Sequence, residues 1–183
     1  TYLLDGKKEY AMIDTGWVRR AEDHLCNFQK DGFDLKKITK VIISHPHADH
    51  AAGISVVKEK LGCAVYAHTL AVPVLEKGDE IAMAGSLPFC DFYEPCPPCK
   101  IDVELKDKDI VKVGDITLEV IHTPGHTPGS IALRFNDYLF VGDTVFSDGS
   151  IGWIDAHWGS NPEDYICSLE LINPNSKFLS SIV

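Results

Sequence analysis

The order of apolar and polar positions along the chain alternates between two periods. Tyr2-Leu3-Leu4 and Tyr10-Ala11-Met12-Ile13 are short apolar runs separated by Asp5-Gly6-Lys7-Lys8, which predicts a β-hairpin with an Asp-Gly turn. Residues 17–30 can form a helix that Asp31-Gly32 stops. Lys40-Val41-Ile42-Ile43-Ser44 is a β-branched apolar run of the kind found in a buried strand. A helix is expected from about Ala51 to Leu61, because Ile54, Val57 and Leu61 recur at three and four and Gly62 suits a C-cap. Ala64 to Ala67 reads as the next strand, and residues 79–100, rich in Pro and Cys, as irregular. Ile116–Ile121, Ser130–Phe135 and Tyr138–Val141 read as strands, the last two joined by Asn136-Asp137. Ser160 or Asn161 can cap a helix over Pro162–Ile172, and Lys177–Val183 reads as a final strand. Helices and strands in alternation, with hairpins among them, predict mixed α/β layers.

The chain has 183 residues, the length of one domain with a real core. Its net charge of −10 repels a phosphate backbone, so nucleic acid is not expected as a partner. Its apolar runs are far shorter than the roughly 18 residues of a membrane span. Six cysteines without a secretory signal fit a reducing, cytoplasmic setting better than disulfides. The sequence begins without Met in the middle of a strand-like run and ends inside another, which predicts a single domain over 1–183 that is cut at both ends.

Candidate chemistry concentrates in three places. Ser44-His45-Pro46-His47-Ala48-Asp49-His50 places three of the eight histidines within six residues, and chance produces such a pattern in a chain of this composition only roughly one or two times in a thousand. Pro46 holds His45 extended, and His45 and His47, two apart just past a strand, can aim at one spot. Imidazole and carboxylate together suit zinc and related borderline metals, not calcium. The second place is the stiff loop His122-Thr123-Pro124-Gly125-His126-Thr127-Pro128-Gly129, where either histidine could be the ligand by spacing alone. The third is Gly142-Asp143-Thr144, directly after a strand.

With Asp14-Thr15-Gly16 these motifs stand in an order that resembles the metallo-β-lactamase-fold hydrolase superfamily over nearly the whole chain. The resemblance implies a four-layer αβ/βα sandwich with metals at one edge of two packed sheets. It implies that His45, His47 and His126 bind a first metal, that Asp49 and His50 bind a second, that Asp143 bridges both, and that His122 falls outside the site. It further implies two zinc ions per chain, with iron or manganese as alternatives. Those metals lower the pKa of a shared water from 15.7 to about 7, and Asp49 orients the resulting nucleophile. The main subclass of true β-lactamases carries Cys where this chain has Asp143, so antibiotic hydrolysis is not expected; the likeness is to the glyoxalase II and lactonase branch. The family also places one more histidine after the bridging Asp, and counting forward lands near position 183 or a little beyond. His157 comes much too early for that role.

The function implied is metal-dependent hydrolysis of a small ester, thioester or lactone. Alternatives of the same fold are a phosphodiesterase, a mono-iron persulfide-oxidising relative, and a non-catalytic binding domain. Glyoxalase-type thioesterases with a known glutathione site bind it partly through an added C-terminal helical domain, and nothing like it is read within residues 1–183, so glutathione is not the expected substrate. Trp153, His157 and Trp158 are candidate substrate-lining residues, in a stretch where relatives carry an Arg near Trp153. Cys90, Cys96 and Cys99 could form a redox pair or, with Cys26, Cys63 or His68, a structural metal site; free, reduced thiols are the other reading. The expected partner is a small molecule, with no membrane.

Overall fold

A computed structural model describes residues 1–87, 91–172 and 181–182, the side chains of His157, Ser181 and Ile182 excepted. The strands are β1 (Tyr2–Asp5), β2 (Tyr10–Ile13), β3 (Ile38–Ile42), β4 (Ala64–His68), β5 (Ser86–Leu87), β6 (Phe92–Tyr93), β7 (Val103–Leu105), β8 (Ile110–Val113), β9 (Ile116–His122), β10 (Ile131–Phe135), β11 (Tyr138–Phe140) and β12 (Ser181–Ile182). The helices are α1 (Val18–Lys30), α2 (Ala48–Ala51), α3 (Ile54–Leu61), α4 (Val72–Lys77) and α5 (Pro162–Ile172). One five-stranded sheet runs β1-β2-β3-β4-β7, parallel from β2 onward; the other runs β12-β11-β10-β9-β8, antiparallel except where β12 joins β11. A small β5–β6 hairpin lies apart.

Side-chain alternation along the first sheet explains the layering. Tyr10, Met12 and Val41 face Ala21 and Leu25 of α1 and Ile54 and Val57 of α3. Their neighbours Ala11, Ile13 and Ile42 face the second sheet, meeting Val111, Val113, Leu118, Val120, Ile131 and Leu133. The outer face of the second sheet, through Ala132 and Leu139, packs on Ile172 of α5. A strand buried on both faces must read as an unbroken apolar run, which is why β2 and β3 do. The result is helices, sheet, sheet, helix: the four-layer sandwich that the resemblance implied. Among the described residues, no helix is long and apolar enough to cross a membrane.

Several local expectations are met in detail. Gly62 adopts the left-handed C-cap of α3 at φ +66°, and the Asn161 carboxamide accepts from Asp164 N at 2.8 Å to cap α5. Others are corrected. The single helix expected over residues 51–61 is two, α2 and α3, because Gly53 donates to the Gly16 carbonyl at 2.9 Å, and a Cβ there would stand 2.8 Å from Ala21. The strand placed at 40–44 begins and ends earlier, at 38–42, and frees Ile43 and Ser44 to lead into the histidine block. Residues 79–100 are not wholly irregular, since they hold β5 and β6. Of the final strand expected over 177–183, Ser181 and Ile182 pair with Tyr138 and Leu139, and the rest lies outside the described residues. Besides β5 and β6, the elements α4, β7 and β8 have no counterpart in the sequence reading.

Gly6 has a use beyond its turn. A Cβ there would overlap the Val113 carbonyl, and one on Gly114 (φ +55°) would overlap the Gly6 carbonyl. The first hairpin and the β8–β9 turn therefore touch backbone to backbone, with Asp115 N donating to the Gly6 carbonyl at 3.1 Å. Gly6→Ala should cost about 1–3 kcal/mol, the usual toll of overpacking. A shift of the urea midpoint at unchanged slope would show it; wild-type stability would mean that the contact is slack.

Candidate metal centre

The two sheets present their strand ends along one edge, and the chemistry-bearing residues lie there. His45 and His47 follow β3, Asp49 and His50 lie in α2, His126 sits between β9 and β10, and Asp143 comes just after β11. Hydrogen bonds fasten this edge: Ile131 N donates to the Ser44 carbonyl at 2.8 Å, Asp14 N to Ile42 at 3.0 Å, and Thr15 N to His50 at 2.7 Å. Gly142, at φ +54°, lets the chain pass Ser44 and His45; a Cβ there would stand 2.9 Å from Ser44 Oγ.

Two sets of donor atoms converge. One atom each from His45, His47 and His126, all buried, lie within 4.8 Å of one another, and so do atoms from His45, His50 and Asp143. The rings crowd together, with centroids 4.7 Å apart for His45–His126 and 4.5 Å for His47–His126. Asp143 spans the two sets: Oδ1 is 3.1 Å from His50 Nε2 and Oδ2 is 3.9 Å from His126 Nε2.

Each imidazole has one nitrogen tied down by a neighbour. Ser44 Oγ meets His45 Nδ1 at 3.0 Å, and Asp155 Oδ2 meets His47 Nε2 at 3.3 Å. Asp14 Oδ2 meets His50 Nδ1 at 2.8 Å, and the Trp153 carbonyl meets His126 Nδ1 at 2.7 Å. The opposite nitrogens of His45 and His126, both Nε2, are buried and have no hydrogen-bond partner among the described residues. Buried polar atoms rarely go unsatisfied. Rings fixed from behind, with free nitrogens facing one point, are the arrangement that a cation of the zinc type requires.

The electrostatics agree. Burial, with His50, His47 and His126 nearby, holds the His45 pKa well below its ordinary value. Burial and His47 take His126 down to about 4, against the pull of the Trp153 carbonyl and Asp143. Both rings are therefore neutral at physiological pH, the form that ligates metal. His50 goes the other way: burial opposes its charge, but Asp14, Asp143 and Asp49 outweigh that and raise it to about 10. Burial disfavours charge on Asp143 too, yet the His50 hydrogen bond holds its carboxyl below the usual range.

Asp49 stands at the rim, 45% exposed, with its Oδ2 3.8 Å from His50 Nε2. It lines a cleft over the centre together with His47, His126, Asp143 and Trp153. Trp158 is 39% exposed and is not among the residues lining that cleft, and the His157 side chain lies outside the described residues. His122 is apart from the centre, stacked on His68 at 4.0 Å and bonded through Nε2 to the Pro128 carbonyl at 2.8 Å. Cys96 and Cys99 are buried in the core between helices and first sheet, where burial pushes both thiols up; Cys90 lies outside the described residues.

Sequence reasoning gave no role to Asp14, Asp155, Gly152 or Tyr165. Asp14, at φ +56°, also accepts from Ser44 N and Ser44 Oγ, both at 2.7 Å. A Cβ on Gly152 would stand 2.8 Å from His126 Nδ1. The Tyr165 hydroxyl donates to the Thr144 carbonyl at 2.9 Å, next to Asp143. A non-glycine residue in the left-handed region, such as Asp14, marks a constrained place, but nothing in the sequence pointed to that conformation.

Comparison with known proteins supplies the family. A sequence model described as the metallo-beta-lactamase superfamily matches residues 1–171. The chain is 31% identical over 156 residues to a probable metallo-hydrolase of Methanocaldococcus jannaschii, covering 84% of this chain and 70% of that protein. It is 35% identical over 127 residues to a hydroxyacylglutathione hydrolase of Rhodopseudomonas palustris, covering 68% and 40%. An acyl-coenzyme A thioesterase of Gallus gallus is 29% identical over 187 residues, covering 92% and 64%. The chain thus spans between 40% and 70% of these relatives' lengths. A subclass B3 metallo-β-lactamase of Bradyrhizobium japonicum has the same fold, with a TM-score of 0.78 at 22% identity over 100% of this chain and 69% of its own. Sequence match, four-layer fold and convergent histidines agree: the chain belongs to the metallo-β-lactamase superfamily.

Proposed function

We propose that the chain is the core of a metal-dependent hydrolase that opens a small ester or thioester. His45, His47 and His126 would hold one divalent cation; Asp49, His50 and Asp143 would hold a second, with Asp143 facing both. The observation that carries this is the pair of buried Nε2 atoms, on His45 and His126, with no hydrogen-bond partner among the described residues. Zinc fits the imidazole and carboxylate donors, and iron or manganese fits them next. When bound, such cations supply Lewis acidity and a water whose pKa falls from 15.7 to about 7.

The protein's own groups do the rest. Asp49 is the carboxylate with room to act: Asp14 is engaged by Ser44 and His50, and Asp143 by His50, while Asp49 projects into the cleft. It would orient the attacking water and take up its proton at a carboxylate oxygen. Asp14 and Asp155 keep the His50 and His47 rings from turning, so the donor set needs little rearrangement. The names of the Rhodopseudomonas and Gallus relatives favour an acyl thioester over a phosphodiester. So does the cleft lining, which among the described residues holds no Lys or Arg to meet phosphate.

Metal analysis of the reconstituted protein should find two zinc ions per chain, and His47→Ala should lose at least one together with activity on an acyl thioester. Asp49→Ala should cut activity by at least a hundredfold; full activity in either variant would sink the proposal. A pH dependence follows from His50. Its raised pKa, about 10, means that it carries a proton at neutral pH, which an incoming cation must displace. Affinity for the second zinc should therefore rise with pH across the neutral range, by up to tenfold per unit. Calorimetry in buffers of different protonation enthalpy should record the released proton, and pH-independent binding would contradict the assignment. Asp14→Asn should weaken retention of that second ion by about 10–100-fold, read by competition with a chelator. Unchanged retention would leave Asp14 a purely structural role.

A further inference from the structure

The cleft above the candidate centre has a chemistry of its own. It encloses about 480 Å³, within the usual range for a small-ligand site. Three separate segments wall it with apolar side chains: Trp17 at the N-cap of α1, Leu87 and Phe92 from the β5–β6 hairpin, and the stretch after β11 with Phe146, Ile151 and Trp153. Trp17 and Phe92 meet edge to face at 5.5 Å, so two of the walls brace each other. Trp153 reaches the centre itself, its ring 5.8 Å from that of His47.

The third wall is costly to leave open. Phe146 is 41% exposed, Ile151 46% and Trp153 52%. Three large apolar side chains on one short stretch, all facing a cleft with donor atoms at its floor, mark a surface that ligand covers. The charges in the cleft are Asp49 and Asp143, both acidic. The nearest guanidinium, Arg19, lies over Trp17 but is paired at 3.2 Å with Glu94, a nearly buried carboxylate. Nothing among the described lining residues can neutralise an anionic substituent.

We propose that this cleft takes the acyl side of the substrate and selects an apolar acyl group, whose carbonyl would then lie over His47, His126 and Asp143 while the leaving group points to solvent. The inference rests on the hydrolase reading for the identity of the bond cleaved, but the apolar selectivity is carried by the walls alone. Trp153 and Ile151 would be the specificity-determining residues, because they stand exposed between the centre and solvent.

The test is calorimetric binding of straight-chain carboxylic acids, from two to ten carbons, to the zinc-reconstituted protein. Each methylene that enters the cleft should tighten Kd by about fourfold, the factor given by about 0.8 kcal/mol of transfer free energy per CH₂, until the cleft is full. Trp153→Ala and Ile151→Asp, both at exposed positions, should flatten the series. A Kd independent of chain length, or hydroxylated chains binding as tightly as alkyl chains of equal length, would overturn the proposal. Acetyl and octanoyl thioesters assayed in parallel separate the two readings. Length-dependent binding without hydrolysis of any thioester, or of the matching alkyl esters, upholds the cleft assignment and overturns the hydrolase. Hydrolysis without length-dependent binding does the reverse.

Discussion

A buried imidazole has two nitrogens, and both must be answered. Four histidines stand at the edge where the two sheets meet, three of them buried. Leaving a buried polar atom unpaired costs about 1–3 kcal/mol. The fold answers one nitrogen on each ring with a group from a different segment: Ser44 from the histidine block itself, Asp14 from the end of β2, and Trp153 and Asp155 from the stretch after β11. Nε2 of His45 and of His126 is left without a hydrogen-bond partner among the described residues. The surrounding loops follow from this constraint, since each must bring its partner to a ring held on another strand.

Glycine makes the approach possible. The chain passes Ser44 and His45 at Gly142, and crosses the back of His126 at Gly152, where a side chain would collide with Asp143 and the ring. Gly125 lies against Tyr165, whose hydroxyl reaches back to the Thr144 carbonyl and so fixes the segment that carries Asp143. Helix α5 therefore does two things. It covers the outer face of the second sheet through Ile172, and it anchors the turn from which Asp143 projects. The apolar layers supply the stability against which a congested polar edge is held.

This division explains what could be read from the sequence. The His45–His50 block was legible because its residues are near neighbours, and spacing alone then encodes a shared direction. The layering was legible because strands buried on both faces read as continuous apolar runs. Between His122 and His126 spacing could not choose; the structure separates them, with His122 stacked on His68 and His126 turned to the centre. Asp14 and Asp155 were opaque for a physical reason: their partners lie 36 and 108 residues away, and nothing in a lone carboxylate records a contact over that distance. The short strands β7 and β8 were opaque for the opposite reason. Val103-Glu104-Leu105 and Ile110-Val111-Lys112-Val113 are short runs broken by a charged residue, and they are strands because neighbouring strands offer them a ladder.

The placement of the donors couples folding to chemistry. His45 and His50 come from the first sheet's side of the sandwich, and His126 and Asp143 from the second. A cation that engages both sets must find the two sheets already docked, and by linkage it then stabilises the docked state over the separated one. The contact from Ile131 to Ser44 at 2.8 Å and the apolar seam behind it set that docking before any ligand enters. The precision a metal site demands is thus supplied by the buried apolar seam between the sheets. The cleft above it is built differently, from three separate peripheral segments, two of which meet through Trp17 and Phe92. Loops can change their apolar side chains without disturbing the seam beneath. One rigid donor set under a replaceable apolar cover would let a fold keep its donor atoms in place while the shape of what the cleft admits varies.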